Sequence, residues 1–208
     1  MTQTLRATEK AERRASFLRE AGHLFALKGF RAVTIDDIGD AVGVSGPALY
    51  RHFASKEAML SELLLGASER LLERFHTIAA AGGSDWDVIQ SLITAHLDFA
   101  LQERDVIRIQ DRELANLPVE INRRVRKLQR QYISGWSQIL SGVRPELRPA
   151  ELAVTMHAVF GILNSTPYSA RLDSSADVRA ILQSAALAAL LGAGGDGCSQ
   201  PGPARPCR

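Results

Sequence analysis

The stretch VSGPALYRHFASKEAM, residues 44–59, contains the start signals of two helices and a run of aromatic and basic residues between them. Ser45 precedes Pro47 by two positions, which is typical of a helix N-cap followed by a proline in the first turn. Ser55 is the corresponding cap of the next helix. The stretch therefore predicts a short helix over 45–52 and a longer one that begins near Ser55.

A third start signal lies upstream of this stretch. Thr34 precedes IDDIGDAV, in which two aspartates occupy the first turn and complement the positive end of a helix dipole. Gly43 permits a sharp turn between this helix, predicted over 34–41, and the helix at 45–52. Two helices joined by such a short turn predict a helix-turn-helix.

Apolar residues of the first three predicted helices recur on one face of each helix and are expected to close a small core. They are Phe17, Leu18, Ala21, Leu24, Phe25, Ile35, Ile38, Val42, Leu49 and Phe53. The other side chains of the helix at 45–52 are predicted to face outward: Ser45, Gly46, Pro47, Ala48, Tyr50, Arg51 and His52. A short helix that is small at its start and aromatic and basic at its end can enter the major groove of DNA.

The rest of the 208-residue chain also reads as helical, with breaks at glycine- and proline-rich stretches and no alternating strand pattern. The predicted class is all-α with about nine helices. They span 8–28, 34–41, 45–52, 55–80, 85–102, 105–115, 118–141, 149–166 and 175–191. We expect a helix-turn-helix domain over 1–54, a helical domain over 55–192 that helix 55–80 connects to it, and a disordered tail over 193–208.

Composition excludes several classes of protein. No run approaches the ~18 apolar residues of a membrane helix, and the N-terminus has no apolar segment of a signal peptide, so a cytoplasmic protein without a membrane partner is expected. Cys198 and Cys207 match neither a metal spacing nor a disulfide framework. The formal net charge is only +2, so the case for DNA rests on local placement. Basic residues do concentrate in the N-terminal arm, where they could follow a phosphate strand.

Nothing in the sequence indicates catalysis. It has no glycine-rich phosphate loop, no metal-binding pair of histidines at i, i+4 and no nucleophile motif. His76, His96 and His157 are far apart, and no carboxylate partner is specified for any of them. We therefore predict no catalytic residue, no metal site and no cofactor.

The segment ATEKAERRASFLREAGHLFALKGFRAVTIDDIGDAVGVSGPALYRHFASKEAML, residues 7–60, resembles the N-terminal domain of the TetR family of bacterial transcriptional regulators. The resemblance is carried by LFALKGF, TIDDIGDAVGVS, ALYRHF and SKEAML taken together. It implies nine or ten helices: three that bind DNA, a connecting fourth, and a bundle that binds a ligand and dimerises. Repression is the usual mode of this family.

The resemblance also implies roles for individual residues. Ser45, Gly46, Pro47 and Ala48 would lie at or near the base edges, and Thr34, Tyr50, His52 and Lys56 would meet phosphates. Gly46 and Pro47 stand where many members carry charged or polar residues, so specificity would depend on thymine methyls and DNA shape. The alternative is a solvated amphipathic face in a degenerate helix-turn-helix, which would make the chain an interaction protein.

A ligand site is expected among the helices between 55 and 166, where polar and aromatic residues interrupt apolar faces. The candidates are His96, Phe99, Tyr132, Trp136, His157, Phe160 and Asn164. Each could equally be an ordinary core residue.

Residues 104–130 hold eight basic and four acidic side chains, a net charge of +4. If two antiparallel helices faced each other there, Arg108, Arg112, Arg123 and Lys127 could hold a phosphorylated or carboxylated ligand. Some TetR relatives that sense acyl-coenzyme A thioesters use such a pattern, so an acyl-coenzyme A effector is one hypothesis. A solvated charged face is the alternative.

The last two predicted helices, 149–166 and 175–191, are apolar over more than one face. Each could pack on its own core and on a twin, which predicts a homodimer able to read a two-fold operator. The predicted interface residues are Met156, Phe160, Ile181, Ala185 and Ala188. The alternative is that the extra apolar surface is central core.

Overall fold

The structure, a computed structural model, describes residues 2–169 and 177–192, with side chains from residue 7 onward. The described part is helical throughout and confirms the all-α class. The helices are α1 Thr2–Lys28, α2 Ile35–Val42, α3 Gly46–Tyr50, α4 Lys56–Ala80, α5 Asp85–Gln102, α6 Arg104–Glu113, α7 Val119–Val143, α8 Pro149–Leu163, α9 Thr166–Ser169 and α10 Val178–Leu191. Short 3-10 turns span Phe30–Ala32 and Leu114–Asn116.

Each predicted helix has a counterpart, and most boundaries differ by three residues or fewer. The first helix starts at Thr2, six residues before its predicted start at residue 8. The eighth ends at Leu163, and the one-turn helix α9 follows where only a break was predicted. The predicted disordered tail, with Cys198 and Cys207, lies outside the described residues.

Local side-chain chemistry fixes where the helices begin. The Thr34 hydroxyl accepts a hydrogen bond from the Asp37 amide at 3.1 Å, and the Asp37 carboxylate accepts one from the Thr34 amide at 2.7 Å. Ser84 and Asp87 repeat this reciprocal arrangement at the start of α5. Ser55 accepts from the Ala58 amide at the start of α4. These caps satisfy amides that have no partner within the helix, and they confirm the predicted starts.

Replacing Ser84 by alanine is expected to lower the free energy of unfolding by about 1 kcal/mol, because it removes the cap of α5. Urea denaturation of both proteins measures the difference. Ser91→Ala is the matched control, since the Ser91 hydroxyl only donates to the Asp87 carbonyl within the same helix. Equal losses in the two variants would contradict the capping role.

Glycines set the angle between α2 and α3. A Cβ at Gly39 would lie 2.6 Å from the Val44 carbonyl oxygen, too close for any side chain. Gly43 has a φ of +70°, in the left-handed region that glycine adopts without strain. At Gly46 a Cβ would overlap the Asp36 carboxylate. Together they let the backbone of α2 touch the turn and the start of α3, which fixes the helix-turn-helix.

Buried apolar side chains form two clusters that meet along the bundle. The first comprises residues of α1–α4, and α6 and α7 contribute Val106, Ile109 and Val125 to it. The second fills the bundle of α4, α5, α7, α8 and α10 around Trp136. Because α4 and α6 belong to the first cluster, the helix-turn-helix is packed onto the bundle rather than tethered to it. No helix among the described residues is long and apolar enough to cross a membrane.

Candidate nucleic-acid interface and effector cavity

Helix α3 is held from one side and open on the other. Leu49 and Phe53 are buried and anchor it to the first cluster, whereas Pro47, Tyr50 and Arg51 are exposed. Ser45 is also exposed and Ala48 is half-buried. The prediction that Gly46 faces outward is wrong: it is buried against Asp36, because the close approach of α2 leaves no room there.

His52 lies at the edge of this surface and packs against the first cluster. Its ring meets that of Phe17 edge-on at 5.1 Å between centroids, and its backbone carbonyl accepts a hydrogen bond from Arg14. Burial, together with the nearby positive charges, lowers the pKa of His52 below its usual value. In the protein without DNA the neutral form of the imidazole is therefore favoured at pH 7.

The ammonium group of Lys56 is occupied within the protein. It donates to the carbonyl oxygens of Phe30 at 2.9 Å and Val33 at 2.8 Å, lies 3.4 Å from that of Arg31, and sits 4.6 Å from the centroid of the Phe30 ring. These contacts use its three N–H donors. In the protein without DNA the Lys56 side chain thus links the connection between α1 and α2 to α4, and its predicted phosphate contact would require it to exchange some of these bonds.

Thr34, Tyr50 and Lys56 nevertheless share one place on the surface. They line a shallow depression between the start of α2, the end of α3 and the start of α4. Tyr50 is 56% exposed there, and Thr34 is exposed although its hydroxyl is engaged in the cap. Three of the residues predicted to meet phosphates therefore lie close together on one surface, and their contact with DNA stays a prediction.

A cavity of about 130 Å³ lies in the bundle, enclosed by α4, α5, α6, α7 and the end of α8. Its lining residues are Ser68, Leu71, His96, Phe99, Ile107, Gln110, Gln129, Tyr132, Ile133, Phe160 and Asn164. Five of the predicted ligand residues are among them: His96, Phe99, Tyr132, Phe160 and Asn164. Sequence reasoning missed the others, although Gln129, a polar residue one turn before the apolar Ile133 on α7, was a usable signal.

His96 joins three helices through a buried network. Its Nε2 lies 3.0 Å from Asn164 Oδ1 and its Nδ1 lies 3.1 Å from the Tyr132 hydroxyl. Since Asn164 Oδ1 is an acceptor, we assign the proton to Nε2, and the Tyr132 hydroxyl then donates to Nδ1. Burial lowers the pKa of His96 to about 4 and raises that of Tyr132. Both groups are therefore uncharged at neutral pH.

Two predicted ligand residues lie outside the cavity. Trp136 is fully buried in the second cluster, and its ring centroid lies 5.2 Å from that of Phe160. It therefore packs behind a lining residue and does not itself face the cavity. His157 is exposed on the outer face of α8. The prediction that these two side chains line the site is wrong, because α7 and α8 turn them to other faces.

The structure does not bring the four residues of the predicted cationic site together, because α6 and α7 pack mainly on other helices and turn these side chains away from each other. Helix α6 packs on α1, α4, α5 and α9, and α7 packs on α4, α5 and α8. Arg108 lies over the Tyr168 ring, Arg112 is near Gly29, Arg123 pairs with Glu120, and Lys127 lines a groove beside Phe75 and His76. None of these four side chains lines the cavity.

Helix α6 contacts both the cavity and the helix-turn-helix domain. It places Ile107 and Gln110 in the cavity wall and Ile109 in the first cluster. At its last residue, the buried carboxylate of Glu113 accepts hydrogen bonds from the Phe30 amide at 3.2 Å and from the Asn116 side chain at 2.6 Å. Helix α6 therefore connects the cavity wall to the segment that follows α1.

The outer face of α8 and α10 is apolar and exposed. Val154 is 70% exposed, Ile181 56% and Leu191 51%, and Ala188 lies on the same face. Ala185 is half-buried beside them. The prediction that Met156 belongs to this surface is wrong, since it is fully buried in the second cluster, and Phe160 lines the cavity instead.

The helix-turn-helix with a helical bundle defines the class, and comparison with known families agrees. The family described as "Bacterial regulatory proteins, tetR family" matches residues 17–63, and "Tetracyclin repressor-like, C-terminal domain" matches residues 82–168. The chain belongs to the TetR family, as the sequence resemblance predicted. The relatives described next are named as transcriptional regulators.

Individual relatives extend this picture. The HTH-type transcriptional repressor KstR2 of Rhodococcus jostii (strain RHA1) is 34% identical over 108 residues, 52% of this chain and 53% of that protein. The chain thus spans about half the length of the curated relatives that it matches. The structure of the ketosteroid transcriptional regulator KstR2 of Mycobacterium tuberculosis has a TM-score of 0.76 at 25% identity, over 86% of this chain and 94% of that one. A TetR-family regulator from Bordetella parapertussis 12822 has a TM-score of 0.79 at 25% identity, over 86% and 95%.

Proposed function

We propose that this protein is a transcriptional repressor that binds a two-fold DNA site as a homodimer in the cytoplasm. The observation that carries the proposal is the open face of α3, where Pro47, Tyr50 and Arg51 are exposed while Leu49 and Phe53 hold the helix to the core. A helix presented in this way can lie in the major groove with its first residues near base edges. In this proposal Ser45 and Ala48 lie near the base edges, and Thr34, Tyr50 and His52 contact phosphates.

We further propose that a small effector enters the cavity around His96 and releases the DNA. A ligand alters DNA binding only if it favours one of two arrangements of the two DNA-binding domains. Support for such a link comes from α6, which runs from the cavity wall to Glu113 and its contact with Phe30. The acyl-coenzyme A hypothesis has lost its main support, since the basic residues of α6 and α7 do not converge. An acyl chain could still occupy the apolar cavity. The compounds to be tested as effectors therefore include acyl-coenzyme A esters, and also steroid-derived compounds, which the name of the ketosteroid regulator suggests.

Tyr50→Ala is expected to weaken binding to all DNA sequences about equally and to leave the slope of log affinity against log salt nearly unchanged, because a neutral phenol bonds a phosphate without displacing a counterion. Fluorescence anisotropy with the DNA flanking the protein's own gene, at several salt concentrations, measures both effects. Tyr168→Ala is the matched control: Tyr168 is 54% exposed, against 56% for Tyr50, but it lies on α9 in the bundle.

Two results would contradict this proposal. If wild-type protein bound the flanking DNA no better than unrelated DNA, the helix-turn-helix would be degenerate and the chain an interaction protein. If Tyr50→Ala and Tyr168→Ala bound equally well at every salt concentration, the phosphate role of Tyr50 would be wrong.

A further inference from the structure

The side chains that line the cavity carry no charge at neutral pH. They are aliphatic, aromatic, amide, hydroxyl and imidazole groups, with no lysine, arginine, aspartate or glutamate among them. The one titratable candidate for a positive charge, His96, is neutral because burial lowers its pKa to about 4. An ionised carboxylate or phosphate placed here would lose its hydration without gaining a counter-charge. The lining therefore favours an uncharged occupant.

Most buried polar groups of the lining already have partners. His96, Tyr132 and Asn164 bond to one another, and the Ser68 hydroxyl donates to the Leu64 carbonyl at 2.8 Å. The exception among the described lining residues is Gln129, whose buried Nε2 has no hydrogen-bond partner. Buried amide groups rarely lack a partner, because the missing bond costs free energy that a neighbouring acceptor restores.

We propose that the part of the effector that enters the cavity is uncharged and mostly apolar, and that it carries an oxygen acceptor, such as a ketone or ester carbonyl, which accepts a hydrogen bond from Gln129 Nε2. This inference rests on the proposed effector function and names the chemical class for the same site. Phe99, Ile133 and Phe160 supply the apolar contacts. Gln129 supplies the polar contact that orients the molecule, as is usual in small-molecule sites.

Three probes with one ring skeleton test the chemical class: tetralin, 2-tetralone and the anion of tetralin-2-carboxylic acid. Calorimetric titration of the full chain at pH 7.5, without DNA, measures their affinities. We expect 2-tetralone to bind most tightly, tetralin about tenfold more weakly because it offers no acceptor, and the carboxylate with no measurable heat. A carboxylate that bound as tightly as the ketone would overturn the uncharged class, and so would failure of all three probes to bind.

Two variants with the same change on α7 test the residue. Gln129→Leu is expected to lower the ratio of the 2-tetralone affinity to the tetralin affinity from about ten to about one, and measurable binding of tetralin shows that the variant is folded. Gln131→Leu is the matched control, since Gln131 is exposed on α7 two residues away, outside the cavity. Unchanged ketone affinity in Gln129→Leu would overturn the role of Gln129 and leave the effector cavity standing. Because DNA is absent from these titrations, the DNA-binding proposal stands or falls separately.

Discussion

Replacing Gly39 by alanine is expected to abolish specific DNA binding and to lower the free energy of unfolding by about 1–3 kcal/mol, the usual range for overpacking a tight site. The new Cβ would lie 2.6 Å from the Val44 carbonyl oxygen. That oxygen belongs to the backbone and cannot rotate away, so relief requires α2 and α3 to separate. The angle that presents α3 to DNA would then change.

Gly66→Ala is the matched control for this variant. Gly66 also lies in a helix, but the nearest atom to its Cβ would be the end of the flexible Arg70 side chain at 3.3 Å. This change is expected to be neutral or stabilising, because alanine favours a helix by up to about 1 kcal/mol over glycine. Urea denaturation and anisotropy measure the two effects. Wild-type DNA affinity in Gly39→Ala would mean that the turn tolerates opening.

Replacing Ile181 by aspartate is expected to convert the proposed dimer to monomers and to weaken binding to a two-fold DNA site by several orders of magnitude. The physical reason is that the side chain, 56% exposed in the protomer, would become an unpaired charge buried against the second subunit, which typically costs about 3–5 kcal/mol. Sedimentation equilibrium over a range of protein concentrations gives the dissociation constant.

Val119→Asp provides the control for that experiment. Val119 is 67% exposed at the start of α7, away from the face formed by α8 and α10, and an acid is favourable at a helix N-terminus. This variant should stay dimeric. If Ile181→Asp also stayed dimeric, the subunits would meet through another surface, and the exposed Val154 and Leu191 would need a different explanation.

The local features of the fold could be predicted from the sequence because they depend on neighbours a few residues away. Thr34, Ser55 and Ser84 cap helices through amides three positions downstream, and Gly43 makes the turn through its own backbone. The contacts of Lys56 with the carbonyls of Phe30 and Val33 join residues 26 and 23 positions apart, and no local pattern indicates them.

The site was only partly predictable for a related reason. A polar or aromatic residue on an apolar face, such as His96 or Asn164, indicates a buried polar group wherever the helix packs, and both line the cavity. A charge cluster is different, because Arg108 and Lys127 could act together only if α6 and α7 turned them toward each other. Helix periodicity gives the faces of one helix but not their orientation toward its neighbours, so the basic residues lie apart whereas His96 and Asn164 meet at one cavity.

Helix α6 lines the cavity along one side and contacts the turn at Phe30 through its last residue. This position has a consequence for the effector concentration at which the protein responds. Under the proposed function the two binding events are linked reciprocally: the factor by which effector weakens operator binding is the factor by which the operator weakens effector binding. Protein bound to its operator would then need a higher concentration of effector than free protein to reach the same effector occupancy. The threshold at which the gene responds would thus be set partly by the DNA itself, and a weaker operator would respond to less metabolite.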